Sequence, residues 1–267
     1  DEGASGTTAA TFTVSLDHAS DQDITVNYVT ADATAVEAGS AAAGGDDYVA
    51  IASTPLTVTA GTTSTTLDVT VNGDATDEAT ETYSVVISGE AGGAQGTLEG
   101  TGVTLGTDTA TGTITTDDTA PTISISGPSD TAETGDPTVA FTVTLSNTSD
   151  STINVDFATA DGVDGTTILN ATGGSDYTAQ SGTVTFAAGS SSDAVTIAVP
   201  LTDDITDEED QSFTVDLTDN GTPGGTNGTA SISGASASAT ILDDDDPPTM
   251  DIAGPGSVAE GDSGTTS

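Results

Sequence analysis

The chain has 267 residues, of which 43 are Asp or Glu and none is Lys or Arg, so its formal net charge is -43. Without Lys or Arg it cannot neutralise phosphates, which excludes nucleic acid as a partner and direct attraction to an anionic membrane surface. There is no Cys, hence no disulfide or thiolate chemistry, and every carboxylate must be solvated, accept hydrogen bonds or bind a cation from solution.

High charge with 33% hydrophobic residues would suit a disordered chain, but the apolar residues alternate with Thr and other polar residues throughout. Phe12, Val14 and Leu16 begin the pattern, followed by Ile24, Val26 and Tyr28, then Leu67, Val69 and Val71, then Tyr83, Val85 and Ile87. It returns at Phe141, Val143 and Leu145; Ile153, Val155 and Phe157; Val195, Ile197 and Val199; and Phe213, Val215 and Leu217. A period of two predicts half-buried strands. Clusters of Gly, Asp, Asn and Ser divide the chain into repeats of about seven short strands each, as in a sandwich. Thr111–Thr115 and Ala239–Leu242 are the predicted last strands. The fold class is therefore all-β, with tandem immunoglobulin-like sandwiches joined end to end. No apolar run approaches the roughly 18 residues of a membrane span.

Self-comparison sets the organisation. An offset of 129 residues relates Phe12 to Phe141, Thr30-Ala31-Asp32 to Thr159-Ala160-Asp161, and Asp47-Tyr48 to Asp176-Tyr177. An offset of 130 relates Asp74 and Glu78 to Asp204 and Glu208, and Tyr83 to Phe213. Glu260–Thr266 repeats Glu2–Thr8 with one substitution. Repeat one is assigned to residues 1–118, repeat two to 119–246 and the start of a third to 247–267. The junctions at Asp117–Pro121 and Asp243–Pro248 are too short and Pro-rich to be loose tethers.

Several motifs recur in fixed order: a starting Glu, Asp-Tyr, Gly-Thr-Val-Thr-Phe, Asp-Asp-x-x-x-Glu and a terminal run of Asp. Repeat two carries them as Glu133, Asp176-Tyr177, Gly182–Phe186, Asp203-Asp204 with Glu208 and Phe213, and Asp243-Asp244-Asp245. This order resembles the Calx-β module, known from exchanger regulatory domains, integrin β4 and giant microbial surface proteins. The resemblance implies a calcium cluster at one tip of each sandwich, beside the junction to the next. Carried over by position, the ligands of repeat two are Glu133, Asp176, Asp203, Asp204, Glu208, Asp243, Asp244 and Asp245, with the carbonyl of Thr206. Those of repeat one are Glu2, Asp47, Asp74, Glu78, Glu81, Asp117 and Asp118, with the carbonyl of Thr76. Gly73 stands where repeat two has Asp203, Thr116 where it has Asp243, and Gln211 where repeat one has Glu81. Asp193, in a Gly-Ser-rich turn, falls outside the motif.

Electrostatics points the same way without the family. Two carboxylates about 5 Å apart at an effective dielectric of about 20 repel by roughly 3 kcal/mol. Several such pairs rival the roughly 5–15 kcal/mol that holds a domain together. A divalent ion is the remaining compensation in a chain without Lys or Arg.

Other candidate chemistries fare poorly. His18, the single histidine, stands beside a turn-like Ala19-Ser20-Asp21 and has no partners for a nucleophilic triad. Glycosidase-like carboxylate pairs would lack aromatic sugar platforms, since aromatics are 3% and Trp is absent. Asn147, Asn170, Asn220 and Asn227 fit the glycosylation pattern, so glycans are possible partners, although Asn-Gly pairs also make tight turns.

The expected function is non-enzymatic: a calcium-stiffened spacer of a long extracellular surface protein, such as an adhesin, filament or surface-layer component. A regulatory calcium sensor is the alternative. The expected partners are neighbouring repeats of the same chain or head-to-tail copies. Repeat one has no counterpart of Pro121–Ile125 ahead of its starting Glu, whereas Pro248–Ile252 supplies that pattern at the other end. A segment of this type is expected to complete repeat one, preferably as part of one continuous array.

Overall fold

A computed structural model describes residues 1–37, 46–89, 104–135, 137–162, 168–190, 194–219, 230–254, 256–257 and 261. Among these there is no helix. In repeat one the strands are β1 (Gly6–Ser15), β2 (Ile24–Asp32), β3 (Thr54–Val58), β4 (Ser64–Gly73), β5 (Glu81–Ser88) and β6 (Thr109–Ile114). In repeat two they are β7 (Thr122–Ser126), β8 (Thr131–Ala132), β9 (Thr138–Leu145), β10 (Ile153–Asp161), β11 (Leu169–Asn170), β12 (Ser181–Phe186), β13 (Val195–Pro200), β14 (Gln211–Asp219), β15 (Ser231–Gly234) and β16 (Ser236–Leu242). Repeat two has ten strands against the expected seven or so; two of them, β8 and β11, are two-residue pairings, too short to show alternation. The Glu260–Thr266 match lies outside the described residues except for Gly261.

Repeat two is a full sandwich. One sheet runs β12-β10-β14-β16-β8 with β11 beside β14, and the other runs β13-β9-β7-β15. The alternation does what it predicts: Phe141, Val143, Val155, Val184, Ile197, Val199, Phe213 and Val215 all point into one core. Repeat one has the matching β3-β2-β5-β6 sheet, but its second sheet is only β1-β4. The consequence is visible in burial. Phe141 and Val143 are sealed and Leu145 nearly so, whereas Phe12, Val14 and Leu16 are only half-buried. The core of repeat one is split accordingly, with Ile24, Val26 and Val58 forming a small cluster of their own.

Each core is centred on an aromatic stack. Tyr48 lies on Tyr83 with ring centroids 4.7 Å apart, and Tyr177 lies on Phe213 at 4.3 Å. The stacked tyrosines are anchored by their hydroxyls, which donate to Asp32 at 2.5 Å and Asp161 at 2.8 Å. This joins the Thr-Ala-Asp and Asp-Tyr motifs, and it explains why they recur together.

The residue across the ladder from each inner ring tracks its size. Tyr83 pairs with Gly112 and Phe213 with Ala239. A Cβ on Gly112 would stand 2.4 Å from the Tyr83 ring. Gly112→Ala is therefore expected to destabilise repeat one by about 1–3 kcal/mol through overpacking. Adding Tyr83→Phe removes the hydroxyl, 2.8 Å from that Cβ, but keeps the nearer ring carbons, so it should recover only part of that loss. Denaturant melts of the two variants test the coupling, and equal stability of the single and double variants would contradict it.

Candidate metal centres

The sandwich gathers acids that are distant in sequence. The buried tyrosine stack fixes the backbone at Tyr48 and Tyr177, so the preceding Asp47 and Asp176 are held at the same tip as the ends of β4, β6, β13 and β16. Asp47 is 4% exposed; its Oδ2 accepts the Val36 N–H at 2.6 Å. Asp176 repeats the arrangement on the Thr172 N–H at 2.6 Å. In both, one carboxylate oxygen serves a turn.

In repeat one, oxygens of Glu2, Asp117 and Asp118 lie within 4.8 Å of one another. Glu2 is 3% exposed, its N–H donates to the Thr115 carbonyl at 3.2 Å, and Asp117 Oδ1 accepts the next amide, Gly3 N–H, at 3.0 Å. Asp74 turns back on its own loop, accepting the Thr76 N–H at 2.6 Å. Gly73 is more than a lost carboxylate. The Gly3 carbonyl oxygen lies 1.8 Å from where a Cβ on Gly73 would stand, so the starting segment crosses where an Asp side chain would begin.

In repeat two, oxygens of Glu133, Asp243 and Asp245 form the equivalent group within 4.8 Å. Asp244 accepts the Thr134 hydroxyl and Asp203 the Gly135 N–H at 2.8 Å, so both brace the starting segment. Asp204 accepts the Thr206 N–H at 2.6 Å, and Asp243 Oδ1 the Glu208 N–H at 3.2 Å. Asp193, Asn220 and Asn227 lie outside the described residues. Asn147 uses its amide nitrogen on the Thr119 carbonyl, and Asn170 lies in β11.

Mutual repulsion binds these residues into two electrostatic units. Burial, then the charges of Glu2, Asp47, Asp74 and Glu81, push Glu78 up to about 8. Burial, a hydrogen bond with Asp47 and the charges of Asp47, Asp150 and Glu2 push Glu81 up to about 8. Glu2 and Asp47 are raised as well, chiefly by burial. In repeat two, burial and the charges of Asp204, Glu208, Asp243 and Asp244 push Glu133 up to about 7. Glu208 is raised by burial and by Asp176, Asp204 and Asp243. Asp245 is raised by burial and by its acidic neighbours from Asp243 to Asp203. At this tip Asp204 is lowered instead, by the N–H and hydroxyl of Thr206.

Four carboxylate oxygens in these units, on Glu2, Glu81, Asp118 and Asp245, are buried with no hydrogen-bond partner. Orphaned oxygens facing one another are the donor set of a hard divalent cation, which takes about six to eight oxygen ligands. The residues present fit such an ion. The Calx-beta domain matches this chain twice, over residues 3–118 and 116–245.

The chain belongs to the Calx-beta family. A search of curated proteins gives no match. Similar solved structures include the apo-form Calx CBD1 domain, 21% identical over 47% of this chain and 99% of that one, with a TM-score of 0.35. The CBD12 structures of CALX1.2 and CALX1.1 are 17% and 16% identical. They cover 87% and 86% of this chain and 92% of their own, with TM-scores of 0.34 and 0.35.

Two contributors to the Calx-beta tips escape the motif. Gln211 keeps a buried, unpartnered amide oxygen at the position of Glu81, while its amide nitrogen donates to Glu208 at 2.7 Å. Substitution of Glu by Gln there removes charge but leaves an oxygen donor. Asp150 belongs to repeat two, yet its charge acts on Glu81 of repeat one. Its only sequence signal is that Ser149-Asp150 sits at the same offset as Ser20-Asp21.

The raised glutamates give a pH dependence of definite sign. Their folded values of about 7 to 8 lie above the ordinary 4.5, so protonation favours the metal-free fold. The stability they contribute is complete below about pH 4.5 and is lost as pH rises through 7 to 8. Metal-free protein should therefore melt at progressively lower temperature from about pH 5 to about pH 8.5. A flat or rising profile in metal-free buffer would contradict this electrostatic account.

Proposed function

We propose that both tips bind calcium and that the chain is a non-enzymatic, calcium-stiffened repeat unit of a long extracellular surface protein, such as an adhesin, filament or surface layer. The observation that carries this is the joint between the domains. Asp77, three residues beyond Asp74 in the acidic loop of repeat one, is buried against Thr148, Ser149 and Asp150 of repeat two. Its N–H donates to the Thr148 carbonyl at 3.1 Å, and its carbonyl accepts the Asp150 N–H at 3.2 Å and the Ser149 hydroxyl at 3.3 Å. The loop that supplies ligands is thus the loop that seats the next domain. An ion that fixes the first also fixes the second.

Several features support calcium as structural. All the donors are oxygens, as a hard cation requires, and extracellular sites of this kind work at about 10⁻⁴–10⁻³ M. A net charge of -43 favours solubility of long parallel molecules. The chemistry of an enzyme finds little support: His18 is exposed and pairs with Asp17, and Tyr48, Tyr83, Tyr177, Phe141 and Phe213 are buried in the cores.

Chelation should lower the unfolding temperature markedly, because each site adds about RT ln(1 + [L]/Kd) to stability. It should also broaden the distance distribution from small-angle scattering as the joint at Asp77 loosens. An unchanged melting curve in excess chelator would end the proposal. A sharp transition at low-micromolar calcium, with no change in domain orientation at millimolar calcium, would favour a sensor instead.

Individual ligands are separable by titration calorimetry. Glu208→Ala should weaken calcium binding by repeat two, whereas Asp156→Ala, whose carboxylate accepts the Thr183 hydroxyl within the sheet at 2.5 Å, should not. Equal affinities for the two variants would mean that the ligand set is wrong.

A further inference from the structure

A turn of repeat two, residues 147–151, touches both of the acid-bearing segments that close the tip of repeat one. On one side the Asn147 amide nitrogen donates to the Thr119 carbonyl, and Thr119 directly follows Asp118. On the other side Thr148, Ser149 and Asp150 are hydrogen-bonded to the main chain of Asp77, which lies between Asp74 and Glu78. The turn is also fixed from its own domain. The Gly189 N–H donates to the Ser149 carbonyl at 2.8 Å, and the Ser151 N–H donates to the Ser149 hydroxyl at 3.2 Å. The Ser151 hydroxyl donates to Asp150 Oδ1 at 2.8 Å. Main chain and carboxylate of Asp150 are thus both held, half-buried, at the boundary between the domains.

That placement is electrically unfavourable without a cation. The Asp150 charge acts on Glu81, after that of Asp47 and ahead of that of Glu2. Glu81 keeps a buried oxygen without a partner, as do Glu2 and Asp118, and Glu2 is 3% exposed. The hydrogen bonds of the joint therefore hold one more carboxylate against acids that are already short of donors, and like charges at close range oppose docking. A divalent ion reverses the sign, because the same oxygens then become ligands.

We propose that Asp150, supplied by the second domain, is a ligand of the ion at the tip of repeat one, so that this site is complete only when the two repeats are docked. The inference rests on the reading that the tip binds calcium, and it adds a residue that the sequence motif leaves out. Every motif ligand of repeat one lies within repeat one, whereas Asp150 reaches the site only across the joint. Binding and docking are then reciprocal: calcium strengthens the joint by the same factor by which the joint strengthens calcium binding. Without the ion Asp150 weakens the joint, and with it Asp150 ties the domains together through the metal.

The test uses the full chain, with calcium alone as titrant. Asp150→Asn removes the charge but keeps an oxygen to accept the Ser151 hydroxyl, so the turn is retained. In titration calorimetry it should weaken one class of sites by about tenfold or more, since ligand charge count governs affinity in such sites. Asp21→Asn is the control, because Asp21 holds the equivalent position in repeat one and is exposed; it should bind as wild type does. Melting curves should separate the two roles of Asp150. Relative to wild type, Asp150→Asn should melt lower in calcium but no lower in chelator, where the substitution relieves repulsion. Asp150→Lys carries its own counter-charge, so in chelator its distance distribution from small-angle scattering should narrow towards that of wild type in calcium.

The outcomes distinguish this inference from the reading beneath it. Wild type that binds no calcium would defeat that reading, and this inference with it. Wild type that binds calcium, matched in affinity by Asp150→Asn, would overturn Asp150 as a ligand and leave calcium binding standing. A lower melting temperature of Asp150→Asn in chelator as well as in calcium would assign Asp150 to packing of the joint and overturn the proposal. So would an Asp150→Lys distribution as broad in chelator as that of wild type.

Discussion

Buried carboxylates without a counter-charge are the constraint from which the rest of this molecule follows. Ordinarily a buried Asp or Glu is matched by Arg or Lys, and desolvation is offset within the chain. Here neither residue exists, and the acids divide into two populations. One is held by protein donors: Asp161 by the Gly173 N–H and the Tyr177 hydroxyl, which lower it, and Asp23 by the Ala60 N–H at 2.8 Å. The other, at the tips, faces mainly more acid. Glu2, Glu81, Asp118 and Asp245 keep buried oxygens that no group among the described residues satisfies. Relief has to come from outside, as protons or as metal, and the two compete for the same oxygens.

That competition is placed at the joint and not within a domain core. Each core is centred on a stacked aromatic pair. The tip of repeat one shares its acidic loop with the surface that receives repeat two, and Asp150 carries charge across the boundary. Contact between one unit and the next thus runs through this loop, as neighbours meet in repeat architectures. Asp77 is buried at the joint, whereas its counterpart Asp207 is exposed.

Strand existence was legible because alternation is a local property: Phe141-Val143-Leu145 and Phe213-Val215-Leu217 line the core as their period requires. The acidic constellations were legible because the motif residues lie at strand ends, and Glu2, Asp117 and Asp118 do converge, as do Glu133, Asp243 and Asp245. Three things were not. Gln211 looked like a lost ligand because sequence shows lost charge more readily than a retained oxygen. Gly73 looked like another, but its role depends on the Gly3 carbonyl passing through the space of a Cβ, a close approach that no local pattern encodes. Asp150 belongs to a different domain from the residues it acts on, so its part depends on the geometry of the joint.

The charge also bears on how copies could meet. Side-by-side contact between two chains of net charge -43 would oppose acidic faces along their whole length, and screening over about 8 Å at physiological salt does not remove repulsion at contact distance. End-to-end contact opposes only two tips. Charge on the surrounding faces likewise opposes indiscriminate pairing at the edge of β1, which among the described residues pairs with β4 alone.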